Sequence, residues 1–230
     1  RPPRRHQMSG GLGAGNAEPM RALVLFAVRE EAKYFQPPPG IKCQVVISGI
    51  GQRNAERAIR GALASFTPQL VLTCGFAGGL NPELAHGTIA FDADETFPMP
   101  PAWRQLGARP AKFFCSNRIV VTAAEKRTLR AQSGADAVEM ESGVIRSMCA
   151  GREIPSATIR VISDDATTDL PLDFNSVARA DGNMNYLKLA AALVKSPSLV
   201  PRLLKFRREL DACARKLGAS LREVLSSHPF

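Results

Sequence analysis

ALVLFAVREE, residues 22–31, opens with seven apolar residues, most of them branched, and closes on an arginine and two acids. A strand covered on both faces reads this way, because neither side has to alternate with water. The pattern recurs at 44–47, 70–74, 88–91, 118–122 and 157–162, and helical spacing of apolar residues fills 55–66, 124–131 and 141–150. Strands alternating with helices predict one α/β domain with a central mixed, largely parallel twisted sheet flanked by helices in three layers, α/β/α.

Outside that core the composition shifts. Residues 1–20 join Arg1, Arg4 and Arg5 to a run of Gly, Ala, Ser and Asn and are expected to be a disordered leader. Residues 21–196 form the expected folded domain. Its stretch Phe97–Pro110 is proline-rich and aperiodic and predicts a loop, and after Pro171 the residues Met184, Leu187, Ala191 and Val194 fall on one helical face. Residues 197–230 predict an amphipathic basic helix whose stripe runs Leu203, Phe206, Leu210, Cys213, Leu217, Leu221, Val224.

The chain has 230 residues, 45% hydrophobic and 22% charged, enough to bury one sizeable core. It contains no apolar run of membrane-spanning length, and its start lacks a signal-peptide core, so the expected location is cytoplasmic. Five scattered cysteines without a CxxC pair argue against a disulfide framework or a structural zinc. With only three histidines, His6, His86 and His228, there is little material for histidine triads or metal sites, and no metal or other cofactor is expected. The net charge is +9, but residues 195–230 hold eight basic against three acidic residues, and the whole chain has two tyrosines and one tryptophan, little material for a stacking surface. Nucleic acid is therefore not an expected partner, whereas that tail beside its apolar stripe suits either packing on the chain's own core or an anionic membrane surface.

Five motifs sit where chemistry could be done. Arg29-Glu30-Glu31 follows the first strand at the edge where open α/β sheets bind ligands, although acids also favour a first helical turn. Ser48-Gly49-Ile50-Gly51-Gln52-Arg53-Asn54 is either a tight turn or a set of backbone N–H groups facing an anion or hydroxyl. Cys74-Gly75-Phe76-Ala77-Gly78-Gly79-Leu80 lets backbone approach a ligand closely, with Cys74 read as a buried hydrophobe. Val138-Glu139-Met140-Glu141-Ser142 and Arg160-Val161-Ile162-Ser163-Asp164-Asp165, a buried strand ending in Ser-Asp-Asp, place further carboxylates at strand ends, where each could equally cap a helix. Together, three strands bring acids to one sheet edge, and acids without histidine or metal suit general acid/base work on a glycosidic bond.

In order along the chain, AVREE (27–31), SGIGQRNA (48–55), CGFAGGL (74–80), AVEMES (137–142) and RVISDDA (160–166) resemble the nucleoside phosphorylase superfamily, above all its branch of methylthioadenosine/S-adenosylhomocysteine nucleosidases. The resemblance spans about Ala22 to Leu193 and implies a nucleoside phosphorylase-like catalytic domain that cleaves the N-glycosidic bond of a purine nucleoside. By that likeness Asp164 protonates or hydrogen-bonds purine N7, Ser163 orients it, and Phe174 lies beside the base. Glu141 binds the ribose hydroxyls with Met140 packed on the sugar, and Glu31 positions or deprotonates the attacking water. Gly49, Gly51, Arg53, Phe76, Gly78 and Gly79 are the implied pocket of the nucleophile, water or phosphate. The likeness also implies a homo-oligomer.

Three departures stand out. Phe76 occupies a position where nucleosidases often carry a small hydroxyl residue, the segment from Gly79 to Glu139 is short, and the strand before the glycine turn reads Leu72-Thr73-Cys74 without the arginine of phosphate-using members. Arg29, Arg53 or Arg118 would have to replace it. VVTAAEKRTL (120–129), GADAVEMES (134–142), Asp181-Gly182 and the amphipathic tail are similar to the hopanoid-associated phosphorylases, which implies an adenosyl group on a hopane lipid as substrate and peripheral contact with membrane through 197–230. A non-catalytic nucleoside-binding or membrane-associated module on the same fold is the alternative, against which stands the retention of Glu31, Glu141 and Asp164.

Overall fold

A computed structural model describes residues 18–177 and 186–227. The residues 1–17 of the expected leader, Met184, the Asp181-Gly182 pair, His6 and His228 lie outside the described residues. The first half contains strands β1 (Met20–Phe26), β2 (Ile41–Ile47), β3 (Leu70–Gly79) and β4 (Ile89–Ala93), with helices α1 (Arg29–Ala32), α2 (Gln52–Ser65) and α3 (Pro100–Gln105). Then come β5 (Arg109–Pro110), β6 (Phe113–Cys115), α4 (Ala123–Ser133), β7 (Ala137–Glu139), α5 (Ser142–Ala150), β8 (Ser156–Asp164), α6 (Phe174–Val177), α7 (Tyr186–Lys195) and α8 (Leu199–Ser226).

The sheet runs β2-β1-β3-β8-β4-β5, with β7 joining β3 and β6 joining β7. Neighbours are parallel except β4 against β8 and β7 against β3, so the sheet is mixed and mostly parallel, as the alternation of strands and helices predicts. Alternation within β1 explains why it reads as wholly apolar. Val24 and Phe26 face a core completed by Leu72, Ile159, Trp103 and α8, while Leu23 and Leu25 face α2 and α5 through Ile59, Ile145 and Cys149.

Three expectations are corrected. The loop 97–110 contains α3 and the edge strand β5, because Pro100 and Pro101 occupy first-turn positions whose N–H groups need no intrahelical partner. Its Trp103 is fully buried. Residues 118–122 form no strand: Ile119 exchanges hydrogen bonds with the side-chain amide of Asn175, and the Leu170 N–H donates to the Val121 carbonyl. An amide side chain there substitutes for a neighbouring strand. Finally, the apolar stripe of α8 divides. Cys213, Leu217, Leu221 and Val224 are buried in the main core, and Gly218 lies against the Tyr34 backbone, where a Cβ would come within 2.6 Å. The surface that stays open lies before that half, at Leu187, Val194, Val200 and Leu204. No described helix is long and apolar enough to cross a membrane.

Candidate active site

β1, β3, β7 and β8 end around a cleft of about 350 Å³. Its lining includes Glu31, Phe76, Gly78, Met140, Glu141, Ser163, Asp164 and Phe174, so the structure brings together eight of the residues singled out by the motifs. Of the rest, Gly51 reaches the site through its backbone and Gly79 packs behind it on Ile162, where a Cβ would sit 3.2 Å away. Gly49 turns against Asn54, and Arg53 is exposed on α2 and not among the residues lining the cleft.

Glu31 is held by three backbone donors. Ala27 N and Val28 N donate to Oε2 at 2.8 and 3.2 Å, and Phe76 N donates to Oε1 at 2.8 Å. It caps α1 and faces the cleft at once, so the two readings of its motif are one arrangement. The contact is tight enough that Gly75, at φ +157°, admits no side chain: a Cβ would sit 2.4 Å from Glu31 Oε1. Burial pushes the Glu31 carboxyl up, against the pull of Arg160 and these donors.

The two acids of Val138-Glu139-Met140-Glu141 divide their work. Glu139 receives Glu141 N, Ser142 N and the Ser142 hydroxyl, and so satisfies the start of α5. Glu141 is thereby freed to face the cleft, where its Oε1 accepts Gly51 N at 2.8 Å. Beneath both lies Arg160, 1% exposed, with Nη2 at 2.7 Å from Glu139 and 3.7 Å from Glu141. The buried Nη1 and Nε of Arg160 make no hydrogen bond among the described residues.

This arginine is a site residue that reading the motifs missed. The signal was present: a charge amid the apolar residues of a strand buried throughout its length requires buried acids. Burial and three carboxylates act on it in opposition, and the carboxylates keep it protonated. Burial raises Glu139 in turn, but Arg160 and the N–H donors outweigh it and hold its carboxyl below the usual range. Arg160 and the Gly51 N–H pull on Glu141 as well, but burial, with repulsion from Glu139 and Glu31, outweighs them and pushes it up to about 7.

That value carries a stability consequence. Between its ordinary 4.5 and about 7, Glu141 holds a proton in the folded chain and loses it in the unfolded one. Its contribution therefore falls as pH rises through this window, by about 3 kcal/mol. Glu141→Gln is expected to flatten that decline in thermal melts taken from pH 5 to 8 and to melt higher than the parent at pH 8. An unchanged slope would show that Glu141 does not titrate there.

At the end of β8, Asp164 is 7% exposed, with Oδ1 accepting the Ser163 hydroxyl at 2.6 Å and Oδ2 2.6 Å from Lys126 Nζ. The adjacent Asp165 instead accepts Thr167 N and the Thr167 and Thr168 hydroxyls, taking up the turn that follows. Phe174 closes one wall, its ring 5.8 Å from that of Phe206 on α8. Cys74 is buried beneath the site, and desolvation raises its thiol well above the ordinary range, so it packs as a small apolar group.

Residues 107–195 match the model of the phosphorylase superfamily. A 5′-methylthioadenosine/S-adenosylhomocysteine nucleosidase of Shewanella sediminis is 26% identical over 184 residues, covering 65% of this chain and 80% of that protein. A nucleosidase of the same description from Anoxybacillus flavithermus is 26% identical over 170 residues, 59% of this chain and 73% of that protein. Among solved structures, the same kind of nucleosidase from Helicobacter pylori superposes with a TM-score of 0.66 at 16% identity, covering 92% of this chain and 100% of that one. The futalosine hydrolase of Helicobacter pylori gives 0.64 at 16% identity, with 91% and 99% covered. The resemblance carried by the motifs, and the fold it implies, are borne out.

Proposed function

We propose, with the likeness to the phosphorylase superfamily as premise, that this chain breaks the N-glycosidic bond of a purine nucleoside, a 5′-substituted adenosine, by hydrolysis. The observation that carries the reading is the convergence of Glu31, Glu141 and Asp164 on one buried cleft. In this reading a proton on Asp164 passes to purine N7 as the bonding pair of the C1′–N9 bond leaves with the base. The ribose cation so formed is stabilised by Glu141, which also receives the ribose hydroxyls. Water attacks C1′ and gives its proton to Glu31, whose raised proton affinity suits a base acting near neutral pH. Both protonation states are restored by exchange with solvent, and the net reaction is nucleoside plus water to base plus sugar.

Water is favoured over phosphate by charge. The cations nearest the reacting centre are already engaged, Arg160 by Glu139 and Arg118 by Glu125 at 2.7 Å, and a phosphate would meet the carboxylates of Glu31 and Glu141. Glu31→Gln is expected to slow release of adenine from methylthioadenosine roughly 100-fold or more, with KM nearly unchanged, because the base acts only in the transition state. Parental turnover in that variant would remove Glu31 from the mechanism.

The finer reading concerns the 5′ group. Val28, Ile50, Met140, Phe174, Phe206 and Leu210 give the cleft apolar walls, which suits an apolar 5′ substituent and supports an adenosyl group on a hopane-type lipid as substrate. Peripheral membrane contact belongs to the same reading. Leu187, Val194, Val200 and Leu204 are exposed close to exposed Lys195, Arg202, Lys205, Arg207 and Arg208. The chain is expected to co-sediment with anionic vesicles and not with neutral ones, and Arg207→Glu/Arg208→Glu to release it. Equal recovery with both lipids would end the membrane reading. Self-association is proposed on the open residues Val45 and Ile47 of the edge strand β2, and a monomer in sedimentation velocity at micromolar concentration would contradict it.

A further inference from the structure

Lys126 is the most deeply buried lysine position of the site region, 0% exposed, on a helix whose other charged residues are partly or fully exposed. An uncompensated buried ammonium is costly, and this one is fully compensated. Its three N–H groups meet Asp164 Oδ2 at 2.6 Å, the Asp165 carbonyl at 2.6 Å and the Thr168 carbonyl at 2.8 Å. The two carbonyls belong to the turn that leaves β8, which continues to Asp169, whose Oδ1 accepts Ala123 N, and to Leu170, whose N–H donates to Val121. Leu170 and Val120 both line the cleft. One side chain thus ties the cleft acid to the turn behind it, and that turn is tied to the wall that would hold the base.

We propose that Lys126 is a positioning residue for Asp164, holding its Oδ2 and the turn 165–168 with a fixed positive charge. The inference rests on the role given above to Asp164. Ser163 and Lys126 occupy opposite oxygens of the carboxylate and fix its plane relative to the cleft. Once Asp164 has passed a proton from solvent to the departing base, its carboxylate is paired again with an ammonium already in place. Lys126 itself gives up no proton, since its N–H groups are directed at the carboxylate and two carbonyls. Helical position alone does not reveal this, because Ala123-Ala124-Glu125-Lys126-Arg127 reads as a solvated face.

A double-mutant cycle on the full chain tests it, with Lys126→Met, Asp164→Asn and the pair, each checked by thermal melting. Lys126→Met is expected to lower kcat for methylthioadenosine about 100-fold with KM within a few-fold of the parent, as misplacement of a reacting group does. In the Asp164→Asn background the same change is expected to cost nothing further. Losses that multiply across the pair, or a folded Lys126→Met chain with parental kcat, would overturn the proposal. Lys126→Gln keeps donors for the carbonyls without the charge and serves where Lys126→Met does not fold; recovery of kcat in Lys126→Gln would equally overturn it. Adenine binding by calorimetry reads the coupling without turnover: each single variant is expected to weaken adenine, and the pair no more than either. Parental turnover in Asp164→Asn would defeat the assignment of Asp164 instead, which separates the two failures.

Discussion

Replacing Asp164 by asparagine is expected to slow release of the base roughly 100- to 10,000-fold, because the amide matches the carboxyl in shape but supplies no proton to N7. The fold should survive. Ser163 keeps an acceptor at the amide oxygen or at the Ala77 carbonyl, and Lys126 keeps the carbonyls of Asp165 and Thr168. Single-turnover release of adenine, followed beside thermal melting, separates the chemical loss from any structural one. A variant that melts like the parent and cleaves at the parental rate would remove Asp164 as the acid.

Arg160→Met is expected to have the largest effect on the molecule as a whole. The guanidinium is the central counter-charge for Glu31, Glu139 and Glu141, and removing one partner of such a buried group leaves charges with neither water nor a cation. The expected cost is about 3–5 kcal/mol, which for a chain of this size lowers Tm by on the order of 10 °C. Loss should be greatest at high pH, where all three carboxylates are ionised, and smaller near pH 5, where Glu141 holds its proton. A Tm within about 2 °C of the parent at pH 8 would contradict this picture of the site's electrostatics.

The sheet was legible where a strand is buried on both faces and carries little polar alternation, as in β1. What misled was apolar sequence with another use. Ile119, Val120 and Val121 look like a strand, yet Ile119 and Val120 form a wall of the cleft, and the backbone of Ile119 and Val121 finds partners in Asn175 and Leu170, which lie about fifty residues on. Pro100 and Pro101 read as breakers, while at a helix start the same residues are preorganised.

The acids of the site were legible in part. Glu31, Glu141 and Asp164 stand at strand ends, where topology directs side chains to one edge. Glu139, Arg160 and Lys126 are less visible, because each acts by pairing across elements far apart in sequence: Glu139 with a strand twenty-one residues away, Lys126 with a turn about forty away. Arg53 shows the reverse. Its motif opens a helix beside the cleft, but Arg53 itself is exposed on α2, while Ile50 lines the cleft and the Gly51 N–H turns inward to Glu141.

Hydrolytic release of adenine is the central claim, and one incubation tests it most directly. The chain is mixed with methylthioadenosine in phosphate-free buffer and again with phosphate, and adenine, free methylthioribose and its 1-phosphate are followed together. Adenine and free sugar in equal amounts, at a rate indifferent to phosphate, is the predicted result. No adenine under either condition, or sugar 1-phosphate as the product whenever phosphate is present, would contradict it.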